Sequence, residues 1–457
     1  MTLAPTLSGK AADQLKRLVS EPDPYSHGGP GIDALQFDAI RELFVRRRGD
    51  ISVLDRRASD LGIHEISTLR DLVPLLFAHQ TYKSYPASFV TQNKWAMMNR
   101  WLDTLSTTRV GPIDLRDVTD TDAWVARLSE HGHHVLLSSG TSGKTSFLNR
   151  NEWDRELTKD NVVANMRLTQ NIPAGQRRPV FLLGPRNGTH IFVGVMQAIA
   201  EQFGTPGATY WLSELALTEA DTKRQAKLRC QVADGTASPS AIRELEEAVA
   251  ARQQHMRESI ENIVDALAAH QDEPVMIVGL WLPHFLLMEQ ARRRGMRDGA
   301  LHPESTIFVG GGLKGAVLPA DFREQVERFY GLALSRYHRA YGMVELSAQF
   351  LWCDASRYHR PPWVSMMILD KNGEELLEPD GSSDVRGRLA FFDIATEARW
   401  GGVITGDEVM VHTGACPCGR PSPSISEVVR YTDLPGGDDK LSCAGTMSSY
   451  IRGVIEA

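Results

Sequence analysis

The apolar residues of this chain follow two rhythms, and the change between them is its first readable feature. Short unbroken apolar runs come first: HHVLLSS at 133–139, PVFLLG at 179–184, PVMIVGLWL at 274–282 and STIFVGGG at 305–312. Each ends in glycine or polar residues and lies a helix length or more from the next, the pattern of strands buried on both faces of a parallel sheet. A helix is predicted from Glu152, and a long one over 238–270, where Ser238 can cap and Pro239 suits the first turn. Ile242, Leu245, Val249, Met256, Ile260, Ile263, Val264 and Leu267 form its stripe at helical spacing, read as packing, with the charges around it a solvated face. Beyond about residue 350 the rhythm shortens to β-like runs, WVSMMILD, GRLAFFD and EVMVHT.

The pattern predicts an α/β protein, with mostly parallel sheets flanked by helices and a small β-rich subdomain. The expected division is a helical region at 1–130, broken early by DPYSHGGPG, an α/β core at 131–350, the β-rich subdomain at 351–435 and a tail at 436–457.

Composition narrows the class of partner. Lys plus Arg number 50 against 57 Asp plus Glu, a net charge of -7, which argues against a broad nucleic-acid surface. With 42% hydrophobic and 23% charged residues the chain has apolar side chains enough for a sizeable core. The N-terminal stretch lacks a signal-type apolar core, and the longest apolar stretch, 275–288, is broken by Pro283 and His284. Its 5 cysteines, an odd number, cannot be fully paired. A reducing, cytoplasmic setting is expected, in which clustered cysteines read as metal ligands rather than disulfides.

Candidate chemistry begins at LLSSGTSGKTSFL, residues 136–148. A strand feeding a loop of glycines and small hydroxylic residues offers backbone amides and hydroxyls to a phosphate chain. Gly143-Lys144-Thr145 fits the end of a Walker loop, but Ser138 stands where that motif requires glycine. Taken alone the loop also reads as a flexible turn.

Ser138-Ser139-Gly140-Thr141-Ser142-Gly143-Lys144 resembles the phosphate-binding signature of the adenylate-forming superfamily of acyl-CoA synthetases, adenylation domains and luciferases, most of all its phenylacetate–CoA ligase branch. Gly310-Gly311-Gly312-Leu313-Lys314-Gly315 resembles the segment lining the adenine, in wording nearest the acyl-protein synthetases of bacterial bioluminescence. Tyr341-Gly342-Met343-Val344-Glu345 resembles YGxTE, Thr405-Gly406-Asp407 resembles TGD, and Arg430 with Asp438-Asp439-Lys440 resembles the ribose contact and hinge.

The resemblance implies the large N-terminal domain of that superfamily, with ATP and Mg²⁺ as cofactors. Ser138 to Gly143, Gly311, Gly312, Tyr341, Gly342, Asp407 and Arg430 would bind nucleotide, and Glu345, Thr141 and Lys144 would act on the phosphates. The implied activity is conversion of a carboxylic acid to its acyl-adenylate with release of pyrophosphate. A carboxylate is already ionised at neutral pH, so positioning and charge neutralisation carry the chemistry. Read singly, Glu345 is also a surface or helix-capping carboxylate, and Asp407 a turn residue.

Two departures stand out. Val344 replaces the usual threonine, and only LSCAGTMSSYIRGVIEA follows the hinge, so a mobile C-terminal lid domain is expected to be absent.

Cys416-Pro-Cys418 and Cys353-x5-His359 offer three thiolates and an imidazole, a set suited to tetrahedral structural Zn²⁺. In relatives a CPCGR and an upstream Cys and His occur in the same places. The competing reading makes Cys353 a buried apolar cysteine, His359 a loop residue and the CPC a tight turn. Cys443 is comparable in place to the acyl-carrying cysteine of the bioluminescence enzymes; Cys230 has no functional reading.

Phe181, His190, Phe192 and Trp281 are candidates for lining the acid pocket, together with Arg186, and favour a small aromatic acid. The acceptor is expected to be an amine, nitrite, coenzyme A or a protein thiol, in secondary metabolism, with neither nucleic acid nor membrane as partner and with room for a homodimer. Two other readings stay open: an acyl-protein synthetase acting through Cys443, and a nucleotide-binding scaffold without catalysis.

Overall fold

The computed structural model describes residues 10–138, 144–170, 172–173, 175–188, 190–215, 238–310, 318–378, 384–439, 441, 449 and 451. The chain divides into two compact units. One takes the residues up to Thr119, Ala123–Val162 and everything from Ala340; the other takes Asp120–Asp122 and Val163–Arg339.

The second unit is built on a five-stranded parallel sheet in the order Gly204–Ser213, Arg178–Pro185, Met276–Leu280, Thr306–Gly310, Tyr337–His338. Three of these strands coincide with the apolar runs of the sequence. On one face Phe181, Leu183, Ile277, Ile307, Val309 and Tyr337 pack with residues of the helices Pro239–Ala269, Trp281–Arg293 and Phe322–Tyr330. Side chains alternate along a strand, so Leu182, Gly184 and Phe308 belong to the other face. There the helix Ile191–Phe203 lies close: a Cβ on Gly184 would stand 2.6 Å from Met196 Cε. In the long helix Ile260, Ile263, Val264 and Leu267 are buried while Ile242 is half-exposed, so the stripe does its packing in its C-terminal half.

The first unit holds an eight-stranded, mainly antiparallel sheet. Its path runs Val364–Leu369, Asp384–Asp393, Gly402–His412, Ser424–Arg430, Tyr358–His359, Phe350–Trp352, Ala340–Tyr341. Phe77–Ala78 joins it in parallel beside Val403 and Ile404. Helices including Ala11–Arg17, Pro30–Asp50, Ser52–Asp60 and Trp95–Asp103 supply residues to its apolar core.

The run HHVLLSS differs from its expected parallel setting. Leu136–Ser138 pairs antiparallel with Ser146–Leu148, so that Ser138 faces Ser146 across the pair. The apolar run reported burial, not a parallel neighbour. Phe147 is fully buried among the rings of Tyr85, Trp101 and Trp124, at centroid distances of 5.2, 6.4 and 5.4 Å.

Candidate functional site

In the first unit three strands bring acidic, basic and aromatic residues together. Asp407 lies opposite Arg430 in the register of their antiparallel strands. The Tyr341 hydroxyl donates to Asp407 Oδ2 at 2.8 Å. Burial raises the Asp407 carboxyl above its usual range, against the opposing pull of the Tyr341 bond and the Arg430 charge. Burial and the Asp407 carboxylate hold the Tyr341 phenol well above its ordinary value. Gly342 follows on the same turn, and a Cβ there would make only an ordinary contact, 3.6 Å from Gln349 Cγ.

Glu345 is buried, and burial raises its carboxyl, with Arg399 and Lys83 acting against the shift. Among the described residues no basic side chain lies within ion-pairing distance of that carboxylate. A buried carboxylate in this state favours a cation beside it. Its oxygen donor chemistry fits a hard ion such as Mg²⁺, and Glu345 is the residue that would hold it.

A third acidic residue, Asp439, is anchored in the same region by groups that the sequence motifs do not contain. Arg388 Nη1 donates to Asp439 Oδ1 at 2.7 Å and to the Thr405 carbonyl at 2.7 Å. His79 Nε2 stands 2.7 Å from Asp439 Oδ2, and Gln80 Nε2 donates to the Asp439 carbonyl at 2.7 Å. Burial, helped by the Lys83, Arg388 and Arg430 charges, pushes the His79 imidazole down to about 3. The ring is therefore neutral near pH 7, and Arg388 supplies the positive charge that Asp439 meets. Gly406 has no side chain for a physical reason: a Cβ would sit 2.7 Å from Asp439 Oδ2.

Burial also lowers the Lys83 ammonium, against the pull of Glu345. Strand Phe77–Ala78 carries the segment 79–83 to the edge of Thr405-Gly406-Asp407, a placement that no periodicity in FAHQTYK announces.

Of the glycine loop, Ser139, Gly140, Thr141, Ser142 and Gly143 lie outside the described residues, as do Gly311, Gly312, Cys230 and Cys443. Ser138 ends the strand that enters the loop. Lys144, at its exit, donates to the Tyr85 carbonyl and lies 4.3 Å from the centre of the Tyr85 ring. The Tyr85 hydroxyl donates in turn to the Thr145 carbonyl at 2.9 Å.

The cysteines of the β-rich region converge. The hairpin of Phe350–Trp352 with Tyr358–His359 places Cys353 and His359 at its two sides. Ligand atoms of Cys353, His359, Cys416 and Cys418 all lie within 4.8 Å of one another. Cys353 Sγ is 3.8 Å from Cys416 Sγ, and Cys418 Sγ is 3.3 Å from His359 Nε2.

His359 Nδ1 lies 3.1 Å from the Ser422 carbonyl, which fixes the proton on that nitrogen and turns Nε2 toward the thiols. Burial pushes the His359 ring down to about 4 and the Cys353 thiol up to about 12. Cys416 is held below the ordinary thiol value, its burial outweighed by the Cys418 amide and thiol. Four soft or borderline donors at this spacing, with an oriented imidazole, fit a tetrahedral metal ion.

The pocket candidates separate. Phe181 stacks on Tyr210 at 4.8 Å and Trp281 meets Phe322 edge-on at 5.5 Å, both within the packed core of the second unit. Phe192 lies on the other face of that sheet, 6.5 Å from Phe308, whose ring stacks on His338 at 5.0 Å. His190 caps the helix Ile191–Phe203, its Nδ1 accepting from the Phe192 amide at 3.3 Å. Arg186 pairs with Glu214 at the surface, 3.3 Å away. No helix among the described residues is long and apolar enough to cross a membrane.

No family model matches the chain, and no curated protein does. Solved structures do, at low similarity. An ATP-bound MatB from Rhodopseudomonas palustris matches at 14% identity and a TM-score of 0.36, over 64% of this chain and 47% of its own. An acyl-CoA synthetase (AMP-forming)/AMP-acid ligase II-like protein from Dyadobacter fermentans matches at 12% and 0.33, over 69% and 65%. The adenylation domain of a keto acid-selecting peptide-synthetase module, bound to keto acyl adenylate, matches at 13% and 0.34, over 66% and 52%. The chain thus spans between 47% and 65% of the length of these structures.

Proposed function

We propose that this chain activates a carboxylic acid with ATP, forming an acyl-adenylate and releasing pyrophosphate. One observation carries the reading. Tyr341 and Arg430 at their strand ends, Asp407 opposite Arg430 and Glu345 on the turn after Tyr341, spaced as in the motifs of the adenylate-forming superfamily, form one electrostatically connected group. In this reading Asp407 and Arg430 take the ribose, Tyr341 lies beside the base, and the glycine loop ending at Lys144 takes the phosphates. Mg²⁺ held by Glu345 would supply charge neutralisation while pyrophosphate leaves.

The acid is proposed to be small and aromatic, in keeping with Phe192, Phe308 and His338 on one face of the parallel sheet. The phenylacetate–CoA ligase branch is the proposed affiliation, with the acceptor drawn from amines, nitrite, coenzyme A or protein thiols.

Acid-dependent ATP–pyrophosphate exchange across aryl and fatty acids tests the activity. Exchange with one acid class is expected in the wild type, reduced at least ~100-fold in Glu345→Ala, the scale of losing one group that meets developing charge. ATP binding without exchange for any acid would overturn the reading.

For Cys353, His359, Cys416 and Cys418 we propose a structural Zn²⁺ site bracing the β-rich region. Elemental analysis should find about one zinc per chain, and Cys416→Ser with Cys418→Ser should lose it and lower the melting temperature. Metal-free protein of unchanged stability would remove the site from consideration.

A further inference from the structure

Glu345 stands on an irregular turn, and the backbone of that turn is gripped from outside. Arg150 Nη2 donates to the Val344 carbonyl at 2.8 Å and to the Leu346 carbonyl at 2.8 Å. Arg399 Nη2 donates to the Glu345 carbonyl at 2.5 Å. The Ser347 amide donates to Asp393 Oδ2 at 2.6 Å. Three successive carbonyls and the following amide are thus fixed by three side chains, each at most 1% exposed.

The charges are arranged to make this tolerable. Two guanidiniums side by side repel, and burial with the Arg399 charge pulls Arg150 down to about 10. Asp154 and Asp393 act in the opposite direction on Arg150, and Asp154 is itself held by the amides of Glu397 and Ala398 at 2.7 and 3.0 Å.

The origin of each arginine gives the grip its meaning. Arg150 stands two residues beyond Ser146–Leu148, the strand leaving the glycine loop. Arg399 stands just before Gly402–His412, the strand that carries Asp407. Each therefore couples the Glu345 turn to a segment bearing another motif. A surface salt bridge could not do this, because a long side chain in water holds no fixed geometry. A buried guanidinium donating to backbone oxygens does.

We propose that Arg150 and Arg399 are positioning residues that hold the Glu345 carboxylate in register with the strand Ser146–Leu148 and with Asp407. This rests on the adenylating reading above. Neither guanidinium is assigned a contact with substrate. Their work is to leave the turn one conformation, so that a cation-binding oxygen is set before the ligand arrives.

The test replaces each guanidinium while keeping the charge: Arg150→Lys and Arg399→Lys, compared with Ile277→Val in the parallel sheet of the other unit. Two readouts are taken. Exchange kinetics should show the Mg²⁺ concentration for half-maximal rate raised about tenfold or more, the usual scale for losing an outer partner of a metal ligand. The acid KM should stay unchanged. Hydrogen–deuterium exchange should rise in the peptide spanning 343–348 and not in the strand Met276–Leu280.

Lysine variants with normal Mg²⁺ dependence and unchanged exchange at 343–348 would overturn the proposal, even if they melted earlier. Should the variants not fold, Asp393→Asn, which weakens the hold on the Ser347 amide from the opposite side, must give the same two signatures. A wild type without acid-dependent pyrophosphate exchange would count against the adenylating reading; the hydrogen-exchange result would still decide whether the arginines fix the turn.

Discussion

In the parallel-sheet unit, Val180, Phe181, Leu182, Met276, Ile277 and Val278 have no exposed surface. In the other unit the side chains with least exposure include Arg47, Arg150, Arg388 and Arg399, with Asp154 and Asp393 beside them. Apolar burial of the first kind is non-directional and worth about 25 cal/mol per Å². It suits strands whose own ladder already satisfies every peptide group.

The buried guanidiniums serve a different need. Arg47 donates to the Trp400 and Thr396 carbonyls, Arg388 to those of Lys371 and Thr405, and Arg150 and Arg399 to the turn around Glu345. Irregular backbone taken out of water must find donors for its carbonyls, and a helix or strand cannot supply them there. The comparison teaches how this unit keeps irregular turns such as those around Glu345 and over residues 396–400 out of water: a charged side chain is buried to hold each of them.

The largest expected effect follows directly. Asp154→Asn keeps the shape and removes the charge that offsets Arg47 and Arg150. Leaving buried charge uncompensated costs about 3–5 kcal/mol. Ile277→Val in the parallel sheet removes one methylene and costs about 0.5–1.5 kcal/mol. Denaturant unfolding of both variants checks this. An Asp154→Asn cost no greater than that of Ile277→Val would end the distinction between the two units.

A smaller effect appears on acidification, from a buried polar group that the parallel-sheet unit does contain. His284 is fully buried; its Nε2 lies 3.1 Å from the Phe308 carbonyl and its Nδ1 2.7 Å from the Tyr330 hydroxyl. The ring therefore donates through Nε2 and accepts at Nδ1, a neutral tautomer. Burial pushes it down to about 4, with the Phe308 carbonyl opposing.

The folded pKa is depressed, so between about 6.5 and 4 the unfolded chain binds more protons than the folded one. Its contribution is complete above 6.5 and declines as pH falls toward 4, by at most about 1.4 kcal/mol per pH unit. In His284→Gln, stability should be lower at neutral pH and its fall on acidification shallower. An unchanged acid slope would mean that the ring does not stay neutral in the fold.

How much of this could be read from the chain depends on the kind of burial. The strands Arg178–Pro185, Met276–Leu280 and Thr306–Gly310 announce themselves because only apolar runs fill a two-faced sheet. The helices Pro239–Ala269 and Glu152–Gln170 begin where the sequence places their starts. The strand Gly204–Ser213 was not legible: GTPGATYWLS opens like a turn, and it can carry Pro206 because it is an edge strand.

The Cys353, His359, Cys416 and Cys418 set was legible from spacing, since few side chains compete for that chemistry. Arg150, Arg399 and His79 were not. A charged residue in sequence reads as surface, and nothing local reports that a guanidinium points inward. Tyr341 and Asp407 could be named from their motifs, but the bond between them is a product of the fold.

That bond carries the smallest of the expected effects, and it tests whether the polar unit's hydrogen bonds tune function as well as hold turns. Tyr341→Phe keeps the ring and its edge-on contact with Phe350, whose centre lies 5.6 Å away, and removes only the donor to Asp407. A net hydrogen bond to a charged acceptor is worth about 1.5–3 kcal/mol, less where Arg430 remains to share the carboxylate. Because the Tyr341 bond lowers the Asp407 carboxyl against its burial, losing the bond lets that carboxyl rise further. Asp407 would then be protonated over a wider acidic range, so the ATP KM should begin to climb at a higher pH than in the wild type. A profile of ATP KM against pH reads this out, with a few-fold change expected at the acidic end and little near pH 8. Coincident profiles would show that Asp407 owes its ionisation to Arg430 and Arg388 alone, and that the Tyr341 hydroxyl is there to hold the strand ends together.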